Sequence, residues 1–147
     1  FWKAAVTNTA GLTLTQNNLP IAAYFGSSTG GLTETALNAW GSERSYTQIV
    51  ADPGSQDPKI NPNFFSWKRA IPQASAALAF ALPDVVTLEV VSRNLSGTVG
   101  TIRATSSAGV QKTLRGETFR SRTRIPSAYF DLVGVQNAVE PTPSPSP

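Results

Sequence analysis

The chain has no cysteine, no histidine and no methionine among its 147 residues. Without Cys or His it can assemble no Cys/His zinc site, no thiol nucleophile and no Ser-His-Asp triad, and neither a metal nor another cofactor is expected. Without Met, Phe1 is not a translation start, and the chain reads as a processed product or a piece of something longer. Long apolar runs are missing as well. The greasiest stretch, Ser75 to Leu82 (SAALAFAL), falls far short of the roughly 20 residues that a membrane-spanning helix needs. It reads as a buried helix or a hinge, and no membrane span is expected. Charge is sparse: 12 basic and 9 acidic side chains leave a net +3. Basic residues gather in one place only, at Arg115, Arg120, Arg122 and Arg124. That cluster is either a phosphate- or carboxylate-binding patch or a solvated face. It lacks the interleaved aromatics of a nucleic-acid surface, so no nucleic-acid partner is expected.

What remains is the inventory of one ordinary domain, large enough to bury a core without staples. The last residues, Pro141 to Pro147 (PTPSPSP), read as a polyproline-type spacer, so 140–147 is expected to be a linker and 1–139 the domain. Two sub-regions precede it, and no internal repeat is visible. In the first, 1–72, Leu12 and Leu14 alternate with Thr13 and Thr15. Gln16, Asn17 and Asn18 supply a turn and Ile21 to Phe25 returns, which predicts a hairpin. A Gly-rich turn over Gly26 to Gly31 and a short helix from about Thr33 to Ala39 follow. A Pro/Asn-rich loop then spans Asp52 to Asn63, and Phe64 to Ile71 reads as a strand. In the second, 84–133, the period-two pattern of Val86, Leu88 and Val90 predicts a strand over Val85 to Val91. Ser96-Gly97 and Ser107 to Gly109 punctuate further strands over Val99 to Ala104 and Val110 to Leu114. Glu117 to Arg124 reads as one or two helical turns, and Ala128 to Val133 as a closing strand. The fold class expected is strand-dominated α+β: a hairpin, a Gly-rich turn and a short helix, followed by a mainly antiparallel β region.

The stretch most suggestive of chemistry is Ala22 to Trp40, AAYFGSSTGGLTETALNAW. Gly30 and Gly31 allow the backbone N–H groups close to a ligand. Ser27, Ser28 and Thr33 offer hydroxyls that both donate and accept, while Tyr24 and Trp40 offer faces on which a pyranose ring can stack. This set suits a polar, uncharged, repeating ligand such as a glycan. It does not suit a phosphate loop, because Leu32 and Thr33 stand where that loop carries Lys. The competing reading is an ordinary Gly-rich turn, with Thr33 capping the next helix and Glu34 placed by the preference for acids at helix starts.

The order of motifs adds a resemblance. Ala5-Val6, Thr9-Ala10-Gly11 and Pro20-Ile21-Ala22-Ala23-Tyr24 come first, then Ser27-Ser28-Thr29-Gly30-Gly31-Leu32-Thr33-Glu34. Trp40-Gly41, Tyr46, Val50-Ala51-Asp52-Pro53, Trp67 and Ser96-Gly97 follow. Leu114-Arg115-Gly116, Phe119-Arg120, Pro126-Ser127 and Phe130 complete the series. In this order they resemble the second half of the SpoIID/LytB domain of sporulation stage II protein D and amidase enhancer proteins. The SSTGG-x-TE block is the specific part, the later turns are individually weak, and Thr47 stands where the family prefers Leu. The resemblance implies an extracytoplasmic, cell-wall-facing protein that binds peptidoglycan glycan strands. In some members the complete domain is a lytic transglycosylase or glycan hydrolase. It also implies a partner, either the N-terminal half of the domain or another wall-processing protein. The alternative within the family is a non-catalytic enhancer or scaffold that regulates a wall amidase.

The family's general acid/base is a Glu on a helix in the first half of the domain, and this sequence holds no such helix. Whether the chain is an enzyme is therefore open. Glycoside hydrolysis by the common route needs two carboxyl groups at a set separation, one with a raised pKa, whereas a transglycosylase manages with one. Among the nine carboxylates, Glu34 is the one set in a candidate site. Asp52 reads as a turn residue, Glu89 as solvent-facing and Glu117 as an ion-pair partner of the arginines. The expected ligand contacts are Tyr24, Ser27, Ser28, Gly30, Gly31, Thr33, Glu34 and Trp40.

Overall fold

The computed structural model describes residues 1–134, so the expected linker at 140–147 lies outside the described residues. The described residues form a mixed α+β fold with two antiparallel sheets and a β-rich second half. Helix α1 (Trp2–Asn8) has no counterpart among the sequence expectations and buries none of its residues. The predicted hairpin exists but is minimal: β1 (Thr15–Gln16) pairs with β2 (Leu19–Pro20). Asn17 and Asn18 form its two-residue loop, both at positive φ, as a hairpin loop of this length requires and Asn tolerates. The return carries only one step further, with the Ile21 N–H donating to the Leu14 carbonyl at 3.0 Å, and Ala22 to Phe25 forms no strand.

Helix α2 (Ala36–Trp40) starts later than expected. Its cap is Thr35 rather than Thr33, with the Thr35 hydroxyl accepting the Asn38 N–H at 3.3 Å. Gly41, in the left-handed conformation, ends it by donating to the Leu37 carbonyl. Phe64 to Ile71 is not a strand; it crosses the surface irregularly and packs only Trp67 and Ile71 against the core.

The second half holds the packing. Helix α3 (Gln73–Phe80) is the apolar SAALAFAL stretch, burying Ala76, Ala77, Ala79 and Phe80. Strands β3 (Thr87–Arg93), β4 (Val99–Thr105) and β5 (Gln111–Arg115) form a three-stranded sheet in the order β3-β4-β5, with an irregularity in β3 between Val90 and Arg93. Leu88 and Val90 face the core, as their alternation predicted, and Glu89 faces solvent with its carboxylate 3.4 Å from Arg103. Central strand β4 buries Val99, Ile102 and Ala104. Helix α4 (Gly116–Thr123) lays Phe119 over this strand, within 5.7 Å of Phe80 and 5.8 Å of Phe130 between ring centroids. Ala128 to Val133 lies beside β4 but forms no strand. Its tie to β4 is the Val99 N–H donated to the Ala128 carbonyl, and Phe130 and Leu132 pack inward.

The core thus sits almost wholly within residues 76–128. The first 72 residues bury only Ala36, Ser55 and Asn61. They leave Phe1, Trp2, Val6, Leu12, Leu14, Leu19 and Phe25 in solvent, Phe25 at 101% relative exposure. A seven-residue helix with no buried face gains nothing from packing, and packing supplies most helical stability in proteins.

Candidate functional site

The SSTGG-x-TE block is folded against residues 48–56 rather than displayed as a loop. Leu32 and Ala51 form a β-bridge, flanked by the Thr33 N–H to the Val50 carbonyl (2.9 Å) and the Asp52 N–H to the Gly31 carbonyl (2.8 Å). The Thr33 hydroxyl is spent here too, donating to Gln48 O at 2.6 Å and accepting the Val50 N–H at 2.9 Å. One turn back, Thr29 donates to Asp52 Oδ2 at 2.9 Å, and Ser55 donates to the same oxygen at 2.5 Å. These hydroxyls, Ser55 first, hold the Asp52 carboxyl below its usual range. Asp52 is a turn residue, as its place before Pro53 predicted. Ser28 accepts from Asn61 Nδ2 at 2.9 Å, and that amide is buried. Ser27 remains exposed.

Both glycines adopt positive φ, 79° at Gly30 and 116° at Gly31. The space they free is filled by the protein itself. A Cβ on Gly30 would lie 2.9 Å from the Tyr129 ring, and one on Gly97 would lie 2.6 Å from the same ring. The Gln56 side chain occupies the corresponding space at Gly31. The pair therefore closes the turn onto Tyr129 and Gln56, and the Gly31 N–H is taken up by the Thr29 hydroxyl at 3.2 Å.

Glu34 is the most heavily bonded side chain in the region. Its Oε1 accepts the Thr35 N–H at 2.8 Å and Asn38 Nδ2 at 2.9 Å. Its Oε2 accepts Asn94 Nδ2 at 3.3 Å, the Thr98 hydroxyl at 2.5 Å and the Ser96 hydroxyl. Partial burial pushes its pKa up, but donors from Ser96, Thr98, Asn38 and the Thr35 backbone outweigh burial and hold it below the ordinary value. A general acid for glycoside cleavage needs the opposite shift. Glu34 is instead a clasp between the start of α2 and the β3–β4 turn, 60 and more residues away in sequence. Nothing in the sequence around Glu34 announces that role, because its three long-range donors arrive from Asn94, Ser96 and Thr98.

Tyr24 and Trp40 do come together. Their ring centroids are 4.4 Å apart at an interplanar angle of 34°, and both rings stay substantially exposed, Tyr24 at 47% and Trp40 at 59%. Each therefore covers part of the other, so the pair forms one aromatic platform rather than two separate faces. It borders an open cleft of about 340 Å³ whose remaining lining is Ala36, Ser42 and Arg44. A second hollow of about 170 Å³ lies beside it, lined by Thr35, Leu37, Glu43, Arg44, Ser45 and Thr47. Arg44 is common to both. Ser42 and Arg44 were not among the expected contacts. The signal for them was Gly41: a left-handed helix cap reverses the chain and returns the next residues toward the last helical side chain.

The arginine cluster resolves toward structure. Arg115 donates to the Leu37 and Asn38 carbonyls at 3.0 and 2.6 Å, satisfying the C-terminal end of α2. Arg120 pairs with Glu117 at 2.6 Å, as expected of Glu117, and Arg122 donates to the Ala79 carbonyl. Arg124 ends α4 in the left-handed conformation. Among the described residues no group of three or more His, Cys, Asp or Glu could hold a metal ion, and no helix is long and apolar enough to cross a membrane. No protein-family model matches the chain, and no curated protein matches it either.

Proposed function

We propose that the chain is a cell-wall glycan-binding unit, extracytoplasmic, and part of a SpoIID-like peptidoglycan-processing domain that is a lytic transglycosylase or glycan hydrolase when complete. The observation that carries this reading is the exposed Tyr24–Trp40 platform beside an open cleft with hydroxyl and guanidinium donors. Sugar-binding sites combine an aromatic face for the pyranose C–H groups with a few polar groups that fix orientation. In this reading Ser27, exposed at the start of the block, is a peripheral contact, whereas Ser28, Thr33, Glu34 and the glycines are engaged within the fold. A carboxylate held ionised by its donors does not serve as proton donor, so bond cleavage belongs to a group supplied by another part of the domain.

The apolar surface of residues 1–25 supports that division. Two Phe, a Trp, three Leu and a Val lie open there, and no acidic residue occurs before Glu34. So many large apolar side chains left open within one 25-residue segment fit a protein contact, and the remainder of the domain is the partner the resemblance supplies. The same surface also fits a second reading, in which the chain is a non-catalytic enhancer that docks on a wall amidase.

The test is co-sedimentation with purified insoluble peptidoglycan, comparing the chain with its Trp40→Ala and Tyr24→Ala variants, with soluble muropeptides assayed in parallel. The chain is expected to pellet, both variants to remain in solution, and no muropeptide to appear. If neither the chain nor the variants pellet, the glycan reading fails and an amidase partner replaces it. Released muropeptides would overturn the assignment of Glu34 as a non-catalytic clasp.

A further inference from the structure

The polar lining of the aromatic cleft is not neutral. Arg44 is exposed, and its one side-chain hydrogen bond is a 3.3 Å contact with the carbonyl of its neighbour Glu43. No carboxylate among the described residues lies within ion-pair distance of it, whereas Arg93, Arg103 and Arg120 each have an acidic partner. It also stands in the lining of both hollows, with the Tyr24–Trp40 platform on one side and Thr35, Ser45, Thr47, Leu37 and the Glu43 carboxylate on the other, so an incoming carboxylate is drawn to the Arg44 side of the junction and kept from the Glu43 side. Resting on the glycan-binding reading above, we propose that Arg44 is its specificity-determining residue. The two adjoining hollows take consecutive sugars, and Arg44 binds a carboxylate that the glycan carries where the two sugars meet.

The physical case is one of placement. A guanidinium offers five donors in a planar fork that matches a carboxylate bidentately, and it remains charged at any pH of interest. Set between an aromatic platform and a hollow lined by three hydroxyls, Leu37 and Glu43, it discriminates among sugars by their substituent, which stacking alone does not. Because Arg44 is open to water, its contribution is screened by salt. In a peptidoglycan strand the carboxylate has two sources: the acidic ether substituent of the muramic sugar when freed of peptide, or the stem peptide when present. The chemistry recognised is the same.

The test measures affinity of the whole chain for three soluble ligands of equal length: a neutral β-1,4-linked N-acetylglucosamine oligomer, a peptide-bearing peptidoglycan fragment and a peptide-stripped one. Wild type, Arg44→Gln and Trp40→Ala are compared at low and high salt. Wild type is expected to bind at least one carboxylate-bearing fragment about 10-fold tighter than the neutral oligomer, with the preference shrinking in high salt. Arg44→Gln should remove the preference, lowering the affinity for the carboxylate-bearing fragment to that for the neutral oligomer, and Trp40→Ala should weaken all three ligands. A preference for the stripped fragment assigns the carboxylate to the sugar substituent, and one for the peptide-bearing fragment assigns it to the stem peptide. Equal binding of charged and neutral ligands, or a preference that survives Arg44→Gln, overturns the role of Arg44 while glycan binding stands. No binding of any ligand by folded wild type overturns the glycan reading itself. Arg44 makes no contact that the fold requires, so a melting temperature equal to wild type confirms that Arg44→Gln reports on binding.

Discussion

Replacing Glu34 separates a clasp from a catalytic acid. In Glu34→Ala the Ser96 and Thr98 hydroxyls, both on buried residues, lose their carboxylate, as do Asn38, Asn94 and the Thr35 N–H. Hydrogen bonds to a charged group contribute about 1.5–3 kcal/mol each when well shielded. Partial exposure of the carboxylate and the two hydroxyls' mutual contact at 3.0 Å reduce the sum, so about 2–4 kcal/mol is expected for the variant. At ~3–5 °C per kcal/mol for a chain of this size, that loss is read directly in a thermal melt. Glu34→Gln keeps the shape but turns one acceptor into a donor facing donors, and should fall between. The pH dependence has a definite sign. The folded pKa lies below the unfolded value of 4.5, so the stabilisation is fully present above pH 4.5. It is lost as pH falls through the folded value. The melting-temperature gap between wild type and Glu34→Gln is therefore constant from pH 7 to about 5 and narrows in more acid solution. Circular dichroism melts across that range test it. Variants melting within 1 °C of wild type at pH 7, or a gap that widens on acidification, would refute the clasp.

Three further outcomes follow from the same geometry. Gly30→Ala combines a positive φ with a Cβ pressed on the Tyr129 ring. It should cost about 1–3 kcal/mol, and a second Tyr129→Ala change should relieve only the clash, giving less-than-additive loss in chemical denaturation. Arg115→Ala leaves the Asn38 carbonyl without its side-chain donor and the Leu37 carbonyl with the Gly41 N–H alone; a loss of about 1 kcal/mol is expected, together with faster amide exchange in α2. Phe119→Ala empties the centre of the Phe80–Phe119–Phe130 stack, and about 3–5 kcal/mol should be lost in urea unfolding.

The second half of the fold was legible because it follows local rules. Period-two alternation located β3, Ser96-Gly97 and Ser107 to Gly109 located the turns between strands, and SAALAFAL located the buried helix α3. The misreadings fall where tertiary contact decides. Phe64 to Ile71 has strand composition but no neighbouring strand, and Ala128 to Val133 meets β4 through its first residue only. In the site, Tyr24 and Trp40 could be singled out as aromatic residues flanking the Gly-rich turn, but their contact with one another depends on α2 being folded back toward Tyr24. The packing of the Gly30–Gly31 pair was not legible, because the ring that fills the space at Gly30 belongs to Tyr129, about a hundred residues further on, and the side chain at Gly31 to Gln56. Glu34 was misleading for the same reason. An acid beside a helix start looks poised for a ligand until the β3–β4 turn is folded onto it.

The central claim, that ligand binds at the aromatic cleft and not at the Glu34 clasp or the arginine cluster, is tested most directly by a residue-resolved NMR titration with a soluble peptidoglycan glycan fragment. Progressive shifts are expected at Tyr24, Ser42, Arg44 and the Trp40 indole N–H, with Ser96, Thr98 and the Arg120–Arg124 segment unmoved. Shifts confined to Arg120–Arg124, or a spectrum unchanged at saturating fragment, would contradict it.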